Sequence, residues 1–218
     1  MDPSILRWPG ANLCRNPFGE LTRQERAELA IVDLEPVLSH LTDANRDRWL
    51  PRRAYQFIGE CGRGKTTHML TLHQRFEDSV YVYLPEDEPC PAIPLGSPLL
   101  IDEAQRLPRR VLRRVAESGS TLILGTHRDL SRPLRRHDYE VVTHRIGLTL
   151  SPAKLATMLN RRIAASRRDP DAPVPSLSLE VAGELTRRFG TDIRGIESYL
   201  YDIVQSQVEH HGEMRFID

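Results

Sequence analysis

The chain has 218 residues, of which 39% are hydrophobic and 28% charged, and its formal net charge is zero. This composition is ordinary for a globular protein and, at this length, allows one full core and a small second domain. No apolar run approaches the roughly 20 residues of a bilayer-spanning helix, and the three cysteines lack the spacing of a zinc site or a disulfide framework. Residues 1–20 lack the pattern of a secretory signal, so we expect a cytoplasmic protein.

Residues 1–50 are predicted to form an N-terminal segment that contains one helix. The stretch "LTRQERAELAIVDLEP" (21–36) has apolar residues at helical spacing. Thr22 and Glu25 are spaced as a capping box, and Pro36 is expected to interrupt the helix. We expect this helix to pack on the domain that follows.

Residues 51–149 alternate between strand and helix patterns. The predicted strands are 54–59, 79–84, 98–104, 121–126 and 139–148, and the predicted helices are 65–76, 107–118 and a weaker one after the fourth strand. This alternation predicts an α/β core with a five-stranded, mainly parallel sheet flanked by helices.

The connection between the second and third strands has a different composition. The segment "PEDEPCPAIPLGSP" (85–98) contains five prolines. Proline lacks the backbone N–H of a helical hydrogen bond and clashes with the preceding turn, so a helix is excluded there. We expect an extended crossover, which makes a polymer-threading pore loop doubtful.

Residues 150–208 are predicted to form a small all-helical lid. Ser151 followed by Pro152 is typical of a helix start, and a second helix is expected to begin at Ser178 and to stop at Gly190. A third helical pattern covers 192–207. Residues 209–218 form a tail, either a short strand or a loose end.

A phosphate-binding motif lies between the first strand and the first helix of the core. Residues 59–66, "GECGRGKT", match the P-loop pattern GxxxxGK[ST]. Its glycines allow successive N–H groups to point inward, while the lysine reaches the β and γ phosphates and the hydroxyl of Thr66 ligates Mg²⁺. The residues predicted to bind nucleotide are Gly59, Glu60, Cys61, Gly62, Arg63, Gly64, Lys65, Thr66 and Thr67.

The choice of lysine at position 65 supports this interpretation. Of the 30 Lys and Arg residues, only Lys65 and Lys154 are lysines. In a chain that otherwise uses arginine for its cations, a lysine indicates that a compact ammonium is required, because a planar guanidinium does not fit a tight phosphate cradle. The same argument says little about Lys154.

A second acidic motif follows the third strand. In "LLIDEAQ", Asp102 stands where the strand ends and Glu103 follows it. Asp102 is predicted to hold the metal through water, and Glu103 to orient or deprotonate the attacking water. Adjacent carboxylates at this place are also compatible with a plain helix N-terminus.

Two further candidates are less specific. At the end of the fourth strand, Thr126 is the first choice for a contact to the γ phosphate or the lytic water, with His127 in reserve; a surface turn explains both almost as well. Arg194 lies in the first turn of the last helix, where the helix dipole disfavours a cation. It fits either an incoming anion or a surface ion pair with Asp192 or Glu197.

Taken together, these motifs resemble those of the AAA+ class of P-loop ATPases, over about Phe18 to Gln205. The closest similarity is to small ATPases of the transposition-regulator, origin-recognition and secretion type, with a "DEAQ" Walker B segment. The resemblance implies a sheet order 5-1-4-3-2, ATP and Mg²⁺ as cofactors, and nucleotide held between core and lid. It implies that Thr126 is sensor 1 and Arg194 is sensor 2.

The resemblance also implies a homo-oligomer in which an arginine finger reaches the neighbouring subunit. The matching place is "SRPLRRHDY" before the fifth strand, which gives Arg135 or Arg136, with Arg132 as a weaker candidate. The segment "NPFGE" (16–20) resembles the one that passes near the adenine.

The function that fits best is an ATP-hydrolysing molecular switch that regulates a partner protein. DNA is a further candidate partner, because residues 106–136 contain nine arginines and two acidic residues. That basic segment could equally face the next subunit or, for its helix, only solvent. A non-hydrolysing nucleotide-binding adaptor is the alternative, and a small-molecule kinase fits less well because no acceptor-binding insertion is evident.

Overall fold

A computed structural model describes residues 11–45, 48–76 and 78–209 of the chain. These residues form two compact units. One comprises residues 26–147, and the other contains residues 11–25 together with 148–209. The predicted tail beyond residue 209 lies outside the described residues. None of the described helices is long and apolar enough to cross a membrane.

The unit of residues 26–147 is built around a five-stranded sheet. Its strands are β1 (Arg53–Ile58), β2 (Val80–Tyr83), β3 (Leu99–Asp102), β4 (Leu122–Thr126) and β5 (Glu140–Arg145). Their order is β2-β3-β4-β1-β5, and every pairing among these strands is parallel. The predicted order 5-1-4-3-2 is therefore confirmed.

Helices cover both faces of this sheet, as expected for a parallel sheet whose central strands are buried. The chain has α1 (Arg23–Glu28), α2 (Glu35–Leu41), α3 (Lys65–Arg75), α4 (Arg109–Glu117) and α5 (Ser131–Arg135), with a 3-10 turn at Ala104–Arg106. One core cluster places α4 and α5 against the sheet through Val115 and Leu134. Another places α2 and α3 against it through Val37 and Met69. The predicted α/β architecture is confirmed.

The prediction of one helix over residues 21–36 is correct only for its first turns, which form α1. The capping box exists: the backbone N–H of Thr22 donates to Glu25 Oε2 at 2.9 Å, and the Glu25 N–H donates to Thr22 Oγ1 at 3.2 Å. However, α1 ends at Glu28, and Pro36 lies in the first turn of a separate helix instead of interrupting one. Proline suits a first turn because its missing N–H is not needed there. The side chain of Asp33 also accepts from the Glu35 N–H at 3.0 Å, a local bond that competes with continued helix.

The proline-rich crossover is extended, as predicted. Residues 84–98 contain neither helix nor strand. Cys90 and Ile93 pack against the core on the α4 side, while Leu95 is 75% exposed. The crossover therefore covers part of the sheet without the helix that usually does so.

The other unit contains three helices, α6 (Pro152–Ala165), α7 (Leu179–Phe189) and α8 (Ile193–Glu209). The predicted caps are confirmed: the Ser151 side chain accepts from the Lys154 N–H, and the Ser178 side chain from the Val181 N–H. Gly190 ends α7 with a φ of 61°, a conformation that favours glycine.

Residues 11–25 belong to this helical unit. Leu13 and Phe18 are buried among the apolar residues of α6, α7 and α8. The division predicted from the sequence assigned all of residues 1–50 to a segment packed on the ATPase core, whereas the structure divides that segment between the units. The cause is the burial of these two side chains, which lie outside the helical pattern used for the prediction.

Candidate functional site

The loop from Gly59 to Lys65 connects β1 to α3 at the carboxyl end of the sheet. Gly62 and Gly64 have φ values of 80° and 95°, which side chains rarely adopt. A Cβ on Gly59 would lie 3.0 Å from the carbonyl oxygen of Ile146. Gly62 and Gly64 are thus required by their backbone conformation. Gly59 is required by the close approach of Ile146, the residue that follows β5.

Lys65 is held inside this loop. Its side chain is 4% exposed, and Nζ donates to the carbonyl oxygens of Gly59 at 2.8 Å and Glu60 at 2.9 Å. Nζ also lies 3.2 Å from His127 Nε2. The ammonium is therefore placed by the loop's own backbone at the end of β1, where the sequence predicts phosphate.

Asp102 meets the loop at the same end of the sheet. Thr66 Oγ1 donates to Asp102 Oδ2 at 2.7 Å, and the Glu103 N–H donates to Oδ1 at 3.0 Å. The phenol of Tyr81, on the edge strand β2, donates to Oδ2 at 3.1 Å. Asp102 is fully buried, and these donors satisfy the charge that burial would otherwise penalise.

Gly125 on β4 leaves the room that Asp102 needs. A Cβ at position 125 would lie 2.5 Å from Asp102 Oδ1, a distance that real Cβ contacts do not reach. The carboxylate of Asp102 would have to shift from its present position. A glycine that the sequence marked only as part of a strand end therefore contributes to the site.

The oxygen atoms of Thr66 and Asp102 fit a magnesium ion. Mg²⁺ prefers hard oxygen ligands and usually combines one or two protein oxygens with waters and substrate phosphates. The described residues contain no group of three or more His, Cys, Asp or Glu side chains that could hold a metal. A hydroxyl and a carboxylate in direct contact are the kind of pair that holds magnesium with a nucleotide.

Glu103 has a left-handed backbone conformation, with φ 60° and ψ 36°. For a residue with a side chain this costs on the order of 1–3 kcal/mol and is typical of functional sites. Its carboxylate accepts from Gln105 Nε2 at 2.6 Å and lies 3.4 Å from His127 Nε2 and 3.5 Å from Arg106 Nη2. The strained turn thus brings Glu103 beside the residues that follow β4.

At the end of β4, Thr126 and His127 have different surroundings, and their predicted contacts to nucleotide stay predictions. Thr126 is fully buried, and its hydroxyl donates to the Arg128 carbonyl at 2.8 Å and accepts from the Arg128 N–H at 3.1 Å. That hydroxyl is used to close the turn. His127 instead lies between Lys65 and Glu103, and its backbone N–H donates to Gln105 Oε1 at 3.0 Å.

The remaining P-loop residues line the outside of the loop. Glu60 and Cys61 are exposed, and Arg63 forms an ion pair with Glu60 at 3.4 Å. Thr67 is half-buried in the first turn of α3, where its carbonyl accepts from the Thr71 hydroxyl at 2.9 Å. Their predicted contacts to nucleotide stay predictions.

The arginines predicted as finger candidates lie around an open hollow of about 480 Å³. It is lined by Asp129, Ser131, Arg132, Arg135 and Arg136. Hydrogen bonds from the Ser131 side chain and backbone, and then from Gln56, hold the pKa of Asp129 below its ordinary value. The three arginine residues are exposed, so the hollow presents a mainly basic surface on α5.

Gln56 fixes the start of α5 from inside the sheet. It lies on β1 with no exposure, and its Nε2 is 2.7, 2.6 and 2.7 Å from oxygen atoms of Asp129, Ser131 and Thr143. Its Oε1 accepts from the Leu130 N–H at 3.0 Å. A polar side chain in an interior strand is thereby satisfied by β5 and by the segment at the start of α5.

Arg194 is exposed in the first turn of α8, as predicted. Both acidic residues considered as its partners have other bonds. Asp192 Oδ1 accepts from the Gly195 N–H at 3.2 Å, which caps the helix, and Glu197 pairs with Arg162. The role of Arg194 as sensor 2 stays a prediction.

The sequence prediction missed Tyr81, Gln105 and Gln56. Gln105 carries a detectable signal, because it follows the "DE" pair on a short turn. Tyr81 and Gln56 lie within strands, and only the register of the sheet shows which neighbours their side chains meet. A glutamine in an otherwise apolar strand is itself unusual and could have marked position 56.

Comparison with known proteins supports the fold. No protein-family model and no curated protein matches the chain. The chain is similar in structure to the RuvB Holliday junction branch migration motor of Thermotoga maritima, with a TM-score of 0.51 and 18% sequence identity. The match covers 79% of this chain and 62% of that chain, so the chain spans less than two thirds of the motor's length. The chain therefore shares the fold of that structure, an α/β core with a parallel five-stranded sheet. At this identity the likeness concerns the fold alone.

Proposed function

We propose that this chain is a nucleotide-dependent molecular switch that binds ATP with magnesium at the P-loop and hydrolyses it. The observation on which the proposal rests is the 2.7 Å hydrogen bond from Thr66 Oγ1 to Asp102 Oδ2. It joins the two motifs that were predicted separately to hold one metal ion. The buried ammonium of Lys65, bonded to the carbonyls of Gly59 and Glu60, supports the same assignment.

Each residue of the site has a distinct task in this proposal. The backbone N–H groups of the loop and Lys65 bind the phosphates, and Thr66 and Asp102 hold the magnesium ion, which neutralises charge on the phosphates. Glu103 orients or deprotonates the attacking water. His127, instead of Thr126, is the polar residue that reports the state of the γ phosphate, because it lies beside both Lys65 and Glu103.

Arg135 or Arg136 would act on the nucleotide of a neighbouring copy, with Arg132 as a third candidate. Support comes from their exposure around one hollow and from the buried Gln56 that fixes the start of their helix. Arg194 is proposed as a second cation for the nucleotide. The regulated partner would be a protein, and DNA is a candidate because α4 and α5 are rich in exposed arginines.

Replacing Glu103 by Gln tests whether the chain hydrolyses ATP. We expect turnover to fall by about 10²-fold or more, the scale of a lost general base, while ATP affinity stays close to that of the unmodified chain. Phosphate release and nucleotide binding should be measured on the same preparations. Ser118→Ala, on the distal end of α4, is a control that should retain turnover.

The adaptor alternative predicts a different result. If the unmodified chain binds ATP but releases no phosphate, alone or with DNA, the bound nucleotide is structural and the switch proposal is wrong in its hydrolytic step. If Glu103→Gln loses ATP affinity together with turnover, the residue serves binding and the proposed role for it is wrong.

A further inference from the structure

The side chain of Asp102 receives a hydrogen bond from outside the two phosphate-site motifs. Oδ2 accepts from Thr66 Oγ1 at 2.7 Å and from the Tyr81 phenol at 3.1 Å. Oδ1 accepts from the Glu103 N–H at 3.0 Å. Thr66 and Glu103 belong to the motifs, whereas Tyr81 lies on the edge strand β2.

The sheet register explains why Tyr81 reaches the carboxylate. Tyr81 pairs with Leu100 on β3, and Asp102 lies two residues further along on the same face. A diagonal neighbour at this spacing is within reach of an aromatic side chain. The contact therefore follows from the parallel pairing of β2 and β3.

The ring of Tyr81 is itself held in place by α3. His73 stacks against it with ring centroids 5.7 Å apart and an interplanar angle of 27°. His73 Nδ1 is 2.7 Å from the Ser79 hydroxyl, which also donates to the Phe76 carbonyl at 2.6 Å. Helix, turn and edge strand thus fix the phenol at one position relative to Asp102.

We propose that Tyr81 is a positioning residue that orients the Asp102 carboxylate toward magnesium. The proposal rests on the function proposed above. When the Thr66 hydroxyl binds the magnesium ion, it no longer donates to Asp102. The Tyr81 phenol then still donates to Oδ2 of Asp102, and the Glu103 N–H to Oδ1. Hydrogen bonds to a metal-binding carboxylate set its orientation, and their loss typically costs 10–100-fold in metal affinity.

Tyr81→Phe removes the hydroxyl and keeps the ring that packs on His73. Binding of a fluorescent ATP analogue should be titrated in EDTA and then at increasing magnesium concentration. We expect unchanged affinity in EDTA, and a rise of about tenfold or more in the magnesium concentration at half effect. Tyr55→Phe is a matched control, because the Tyr55 hydroxyl lies in the same core and contacts His144 at 3.3 Å instead of Asp102.

A merely structural role would give a different pattern. If Tyr81→Phe weakens binding equally in EDTA and in magnesium, or matches Tyr55→Phe throughout, the inference is overturned. In an Asp102→Asn background, Tyr81→Phe should add no further change in magnesium dependence; an undiminished effect there would also overturn it. If the unmodified chain binds no ATP under either condition, the proposed function fails, a result distinct from the others.

Discussion

At the scale of single residues, the ammonium of Lys65 is enclosed by its own loop. It is almost fully buried and donates to two carbonyl oxygens of its own loop. The space between Gly59 and Glu60 accommodates a compact ammonium, whereas a planar guanidinium is larger and presents its donors in a fixed fork. The rarity of lysine in this chain and the geometry of the loop therefore agree.

Lys65→Arg should weaken ATP binding even though the charge is kept. We expect a loss of about tenfold or more in affinity, because a misplaced cation forfeits charged hydrogen bonds to the phosphates. Lys154→Arg is the matched control, since Lys154 is exposed on α6 and should show no effect. Calorimetric titration with ATP and magnesium measures both variants. Wild-type affinity in Lys65→Arg would contradict the assignment of this residue.

The residues of the site differ in how far the sequence predicts them. Lys65, Thr66 and Asp102 belong to short motifs whose local pattern fixes their position at the end of a strand. The roles of Thr126 and His127 depend on the turn after β4, where one backbone rotation decides which side chain faces Lys65. Tyr81 meets Asp102 only through strand pairing, which a single sequence does not show.

At the scale of elements, buried polar contacts tie segments that the sequence treats as separate. In the helical unit, Arg162 is buried on α6 and pairs with Glu197 of α8. It also donates to the carbonyls of Pro17 at 2.9 Å and Gly19 at 2.6 Å. One side chain thereby fixes the N-terminal segment and two helices.

Arg162→Met should destabilise the helical unit by about 2–3 kcal/mol. The substitution leaves two carbonyls and a partly exposed carboxylate without their donor, a cost below that of a fully buried ion pair. Chemical denaturation with amide hydrogen exchange in α6 and α8 measures the change. Arg161→Met, at the exposed neighbouring position, should stay within about 0.5 kcal/mol of the unmodified chain. Equal stability of Arg162→Met and Arg161→Met would show that Arg162 does not stabilise the helical unit.

The bounds of the helices and strands also differ in how far the sequence predicts them. The β-strands and the capped helices α6 and α7 were predictable because apolar runs and Ser caps act locally. The break between α1 and α2 was not, because Pro36 can end one helix or start another. The side chain of Asp33, which bonds the Glu35 N–H, favours the start of a new helix.

At the scale of the whole molecule, hydrolysis is proposed to depend on arginines that a neighbouring copy supplies. The double variant Arg135→Ala with Arg136→Ala should reduce turnover at least tenfold while ATP affinity is retained, because these arginines are proposed to act on a neighbour's nucleotide. For turnover without DNA, Arg109→Ala with Arg110→Ala, on the exposed start of α4, is the charge-matched control. Particle mass and turnover should be measured together, with and without DNA.

The results of this experiment distinguish another copy of the chain from DNA as the partner that the arginines contact. Turnover that is independent of protein concentration and unaffected by the Arg135 and Arg136 changes would contradict a finger acting between copies. Stimulation by DNA that weakens steeply with salt would support a phosphate backbone as partner, because counterion release makes such binding salt-dependent. DNA stimulation lost in the control pair at Arg109 and Arg110 would assign the DNA contact to α4.

The loop at Lys65 and the carboxylate of Asp102 are proposed to hold one magnesium-bound triphosphate. Calorimetric titration of the unmodified chain and of Asp102→Asn with ATP, in magnesium and in EDTA, measures this binding. We expect one ATP per chain, tighter binding with magnesium than without it, and loss of that magnesium effect in Asp102→Asn. Absence of ATP binding by the folded chain, or a magnesium effect that survives in Asp102→Asn, would contradict it.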